Sequence, residues 1–137
     1  MNLLSEEAIW NTSSIFTDSE GNTSHGSGES HIRIMDNIIY NHSWSTLQGK
    51  SIENNYIIKQ ISKNKYKYQS ENPTLGIQSG YFDINDNIIF SKFNIENTNL
   101  NGFEIIVRNK DTCIAKGALY NGEELINTWN AEMKKIN

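Results

Sequence analysis

Turn residues recur about every ten positions along this chain, and that spacing constrains the fold more than any other feature. The breaks include "MDNI" at 35–38, "SKNK" at 62–65, "ENPT" at 71–74, "INDN" at 84–87 and "YNGE" at 120–123, with a longer Gly-rich loop, "FTDSEGNTSHG", at 16–26. Between them lie short apolar or alternating runs, the signature of strands in an all-β sandwich or barrel. Parallel strands need crossover connections of a dozen residues or more, and these breaks have no room for them. The sheet is therefore predicted to be antiparallel, with sequential strands as neighbours.

The predicted strands are roughly 8–17, 25–35, 38–47, 51–62, 65–71, 75–84, 87–96, 102–109, 112–120 and 123–134. A meander of eight to ten strands leaves two unpaired edges, which invite aggregation. Closure into an up-and-down barrel removes them. The expected fold is all-β, one antiparallel barrel spanning residues 1–137. Helix competes in two places. In "LLSEEAIW", Ser5 followed by acids admits a short N-terminal helical turn. In "GEELINTWNAEMKKIN" the strand reading leads, with Leu125, Trp129 and Met133 on one face.

Composition narrows the function classes. Isoleucine, Tyr, Phe, Trp and Thr suit a half-buried pleated surface. The net charge of -4, with no basic run, lacks the electrostatic footprint of a nucleic-acid binder. The single cysteine, Cys113, has no partner for an internal disulfide. "MNLLSEEAIW" lacks the basic start and apolar run of a signal peptide, and no segment has the length of a membrane span. A cytoplasmic location is the expectation.

The stretch "HIRIMDNIIYNHSW", His31 to Trp44, reads as a hairpin about Asp36-Asn37. Both residue types tolerate the positive φ of a two-residue turn. Met35 then opposes Ile38, Arg33 opposes Tyr40, His31 opposes His42, and Glu29 opposes Trp44. With a period of two these eight side chains share one face. Gly28, Ser30, Ile32 and Ile34 share the other with Ile39, Asn41, Ser43 and Ser45. Aromatic rings beside imidazoles and a guanidinium are the usual makings of a ligand pocket. Arg33, Tyr40, His42, Trp44 and His31 are accordingly the candidate ligand-binding residues. The alternative is an outer barrel face with cross-strand pairs. Two facing histidines lack the third protein ligand of a catalytic zinc, so no metal site is expected. The same face could serve proton transfer, which keeps an enzyme as an alternative.

Further on, Tyr81 is expected to face Phe90 across an Asn85-Asp86 turn. Leu119 and Ala118 are expected to face Glu124 and Leu125 across Asn121-Gly122, a strong hairpin signal. Glu104 and Arg108, on the otherwise apolar "GFEIIVRN", read either as an internal polar pair or as the solvated face of an edge strand. The chain carries no G-x-S-x-G, P-loop, dinucleotide fingerprint or HExxH.

In rhythm and length the chain resembles the calycin superfamily of lipocalin-like and fatty-acid-binding-protein-like barrels. Lipocalins carry Gly-x-Trp on the first strand, where the Trp plugs one barrel end and a late basic residue packs across it. Here Trp10 stands on the first strand, Ala8 replaces the Gly, and Arg108 is the candidate basic partner. Trp129 is a second candidate for packing an end. The gap from Thr17 to His25 is too short for the helix pair that caps fatty-acid-binding proteins, which speaks against a fatty acid. No histidine follows His42, as the haem-binding barrels of this class would require. The resemblance implies an internal cavity holding a small, partly hydrophobic ligand, with no cofactor. The alternatives are a calycin-like isomerase or lyase using His31 and His42, and a protein-interaction module with a filled barrel.

Overall fold

The computed structural model describes the whole chain, Met1–Asn137. Its strands are β1 (Ala8–Asp18), β2 (Thr23–Met35), β3 (Ile38–Leu47), β4 (Lys50–Ser62), β5 (Lys65–Asn72), β6 (Gly76–Asn85), β7 (Ile88–Ile95), β8 (Leu100–Asn109), β9 (Thr112–Asn121) and β10 (Glu124–Lys135). Each pairs antiparallel with its sequence neighbours, and β1 pairs with β10 to close the barrel. No edge is left unpaired. No helix forms, so none is long and apolar enough to cross a membrane.

The turn chemistry sets the registers. Asp36 and Asn37 both adopt positive φ, 51° and 65°, as a two-residue hairpin turn with the strand twist requires. The β2–β3 pairs follow as the sequence predicts, including His31 with His42 and Arg33 with Tyr40. Two later hairpins turn one residue further on than expected. Asn85 pairs with Ile88, so Tyr81 faces Lys92 and Asp83 faces Phe90. Asn121 pairs with Glu124. A register shift between Leu125 and Asn127 follows, the extra residue of a β-bulge. The bulge takes Leu125 out of phase with Trp129 and Met133: Leu125 is exposed, Met133 buried.

The expected N-terminal helical turn is corrected to a single hydrogen-bonded turn. Ser5 N–H donates to Asn2 O at 3.2 Å, and Leu4 N–H donates to the Asn2 side-chain oxygen at 2.8 Å. The Asn side chain supplies the acceptor that a helix would have drawn from its backbone. This turn lays Leu3 and Leu4, both buried, across one end of the barrel.

Trp10, fully buried, forms the floor at that end with Ile32, Ile58, Ile89, Cys113 and Met133. The Arg108 guanidinium lies 5.0 Å from the Trp10 ring centre. It donates to Glu6 Oε1 at 2.7 Å, to Lys110 O at 2.7 Å and to Asn2 O at 3.1 Å. The late basic residue implied by the lipocalin resemblance is thus in place across the tryptophan. Arg108 and Lys135 hold the Glu6 carboxyl below its ordinary value through side-chain hydrogen bonds. Burial pushes the Cys113 thiol up to about 11, so it stays an inert packing group.

Candidate functional site

Above this floor the barrel is hollow. A cavity of about 550 Å³ runs from Leu3, Leu4 and Met133 to the opposite end, where Asp18, Asn22, Ser24, Leu47 and Leu75 border it. That volume lies within the range of small-ligand pockets. A filled barrel is not what forms.

The two sides of the cavity differ because the strands facing it differ. On β1, β2 and β3 the inward residues include Thr12, Ser14, Ser30, Asn41, Ser43 and Ser45, all small and polar. At Gly28 an added Cβ would meet the Trp44 carbonyl at 1.8 Å, so the position must be glycine for β2 and β3 to approach. The facing side is apolar and aromatic: Tyr56, Tyr68, Phe82, Ile89, Phe93 and Ile106. Tyr68 stacks on Phe82 with ring centres 4.4 Å apart, and Tyr56 leans on Tyr68 at 5.5 Å. Gln78 donates to the Tyr68 hydroxyl at 3.0 Å. Burial pushes the Tyr68 phenol up to about 12 and raises that of Tyr56 as well.

One ionisable side chain stands among these walls. Glu104 of β8 borders the cavity and accepts a 2.7 Å hydrogen bond from the Trp129 indole N–H of β10. It is deep in the barrel yet keeps some surface, because that surface faces the cavity. Burial raises its carboxyl above the ordinary value, and the indole hydrogen bond opposes the shift only in part. Its charge also reaches the phenols of Tyr56 and Tyr68. Gly117 on β9 makes room for the indole: a Cβ there would meet Trp129 Cζ2 at 2.2 Å. Asn41 and Asn127, also on the wall, each have a buried side-chain oxygen without a partner. Glu104 and Arg108 are both internal, but four residues apart on one strand they are not partners. One serves the cavity, the other the floor.

The candidate residues chosen from sequence share a face, but it is the outer one. His31 bonds Glu29 at 2.8 Å and His42 bonds Glu53 at 2.5 Å. The Trp44 ring packs between the two imidazoles at 4.7 and 5.3 Å. The expectation that Tyr40, His42 and Trp44 line the interior opposite Arg33 and His31 is corrected. Of the five, only Trp44 borders the cavity, from its place between Ser43 and Ser45, while its indole stays with the histidines. The physical reason is volume. A hollow interior needs small inward side chains, and on this hairpin the small ones form the opposite face. Aromatic rings do not mark the inside here, since Tyr81, Phe90 and Phe103 are also exposed. The signal that could have found the wall is the alternation of Gly26, Gly28 and Ser30 with Asn41, Ser43 and Ser45 across the turn.

No family model and no curated protein match the chain by sequence. Among solved structures, the S-type phycobiliprotein lyase CPES from Guillardia theta superposes with a TM-score of 0.72 at 7% identity. The match covers 96% of this chain and 89% of that one. At that identity the likeness speaks for the fold alone, a closed antiparallel barrel.

Proposed function

We propose that the protein binds a small, partly hydrophobic molecule inside the barrel. The observation that carries this reading is the open cavity of about 550 Å³ with one small polar side and one aromatic side. Apolar walls provide affinity and a few placed polar groups fix orientation. The proposed contact residues are Tyr56, Tyr68, Phe82, Glu104 and Trp129, with the Ser30 and Ser43 hydroxyls opposite. The lyase likeness adds a bilin to the ligands worth testing.

Titration with Nile red, a neutral apolar dye, is the direct test. We expect saturable dye emission at shorter wavelength together with quenched tryptophan emission. Trp129→Phe should remove most of that quenching, and Trp44→Phe should leave it. Failure of both Nile red and a bilin to saturate would overturn the reading.

An enzyme remains the second reading, and it attaches to Glu104. The outer His31 and His42 stand on the far side of the wall from the cavity. Burial raises the Glu104 carboxyl above its ordinary value, and a carboxyl so raised is the kind of group that serves as a general acid.

A further inference from the structure

The cavity has a consistent electrostatic sign. Among its lining residues there is no lysine, arginine or histidine, while Asp18 at the mouth and Glu104 inside are acidic; Glu29 touches the lining only from its strand position, its carboxylate lying outside with His31. Glu104 is the one buried among the aromatic rings. Only one of its oxygens is engaged, by Trp129. The partnerless oxygens on Asn41 and Asn127 are likewise acceptors. The open end repeats the sign. The strand ends and turns around it carry Asp18, Glu20, Glu71, Glu96, Glu123 and Glu124 against Lys50. The closed end is mixed, with Arg108, Lys110 and Lys135 among its charges. Such a mouth concentrates cations and repels anions within about a Debye length.

We infer that the ligand is an organic cation: an apolar, ring-sized body carrying an ammonium or another protonated nitrogen. This rests on the ligand-binding reading above. The nitrogen would donate to the free oxygen of Glu104 while the body lies on the face built by Tyr56, Tyr68 and Phe82. Aromatic faces attract a desolvated cation electrostatically, and a carboxylate beside them supplies the counter-charge. A carboxylate ligand would meet the reverse: a repelling rim, then a buried acid with no base to offset it.

Protons balance in a simple way. Without ligand, Glu104 is held toward its neutral form by burial. An ammonium that enters draws the carboxyl into its ionised form, and the displaced proton leaves to solvent. Affinity for a permanent cation therefore rises with pH until Glu104 ionises unaided.

Calorimetric titration with three probes sharing one body tests the inference on the intact chain: 2-(1-naphthyl)ethylamine, 1-naphthaleneethanol and 1-naphthaleneacetate. The expected order is amine, alcohol, acid, with at least about tenfold between amine and acid, or about 1.4 kcal/mol. Glu104→Gln keeps the shape and can still accept from Trp129. It should shrink the preference for amine over acid, taken as a ratio within the variant, to threefold or less. If the acid binds as tightly as the amine, or the preference survives in Glu104→Gln, the inference is overturned while the pocket stands. If none of the three binds at millimolar concentration while Nile red or a bilin saturates, this inference falls and the pocket stands; if those fail as well, the ligand-binding reading falls with it.

Discussion

Glu104 concentrates the tension between stability and use in one side chain. Burial raises its carboxyl above the value it has in the unfolded chain, so the folded protein holds a proton the unfolded chain releases. Its contribution is fully present below the unfolded value and is lost as pH rises through the folded one. Glu104→Gln has no such proton. The variant should match the parent in urea unfolding at about pH 4 and gain on it as pH rises above the ordinary glutamate value, until Glu104 ionises in the folded protein. A margin that is flat in pH would remove Glu104 as the titrating group. The outer histidines make the opposite case. His31→Ala and His42→Ala disturb hydrogen bonds to Glu29 and Glu53 on half-exposed surfaces. Each should change stability by about 0.5 kcal/mol or less and leave dye binding within twofold. A tenfold loss of binding in either variant would restore that face as the site.

At the scale of elements, the closed end joins segments distant in sequence: the N-terminal turn and β1 with the end of β8. Arg108 is their common member, buried against Trp10 and bonded to Glu6 and to two backbone oxygens. Arg108→Met keeps a long apolar stem but deprives the Lys110 carbonyl of its donor and takes one donor each from Asn2 O and Glu6. The expected cost is about 3 kcal/mol, read as a lowered urea midpoint, with protease cleavage near Leu3–Glu6 appearing first. On β9, Gly117→Ala places a methyl on the Trp129 ring. Overpacking of this kind costs about 1–3 kcal/mol, and displacement of the indole should red-shift tryptophan emission. Most of this level was legible in the sequence. Turn residues and alternation gave all ten strands, and Asp36-Asn37 gave the His31–His42 register. What failed depended on single steps that pattern alone does not resolve. Asp86, not Asn85, takes the positive φ in its turn, and the bulge before Asn127 breaks the phase of β10. The inside of the β2–β3 hairpin was misjudged because aromatic content was weighed and side-chain volume was not. Glu104 was noticed on its strand, but its partner Trp129 lies on β10, two strands away around the barrel, and no local pattern joins them.

For the whole molecule, closure and hollowness have different origins and can be varied separately. Closure comes from β1 pairing with β10 over Trp10–Asp18 and Asn127–Lys135, a backbone matter indifferent to what points inward. Hollowness comes from the serines, threonine and glycines of β1 to β3. Ser43 stands in the middle of that wall, half-buried and facing cavity space. Ser43→Leu should therefore be accepted without strain. The added apolar surface leaves cavity water, which contributes about 1 kcal/mol or somewhat more, and the urea midpoint should hold or rise. The same side chain occupies ligand volume, so Nile red affinity should fall at least tenfold. Stability and binding then move in opposite directions from one substitution, as expected where an interior is kept open for use. A midpoint that drops by as much as Gly117→Ala produces, with dye affinity unchanged, would mean that Ser43 packs against a neighbour and that the hollow lies elsewhere.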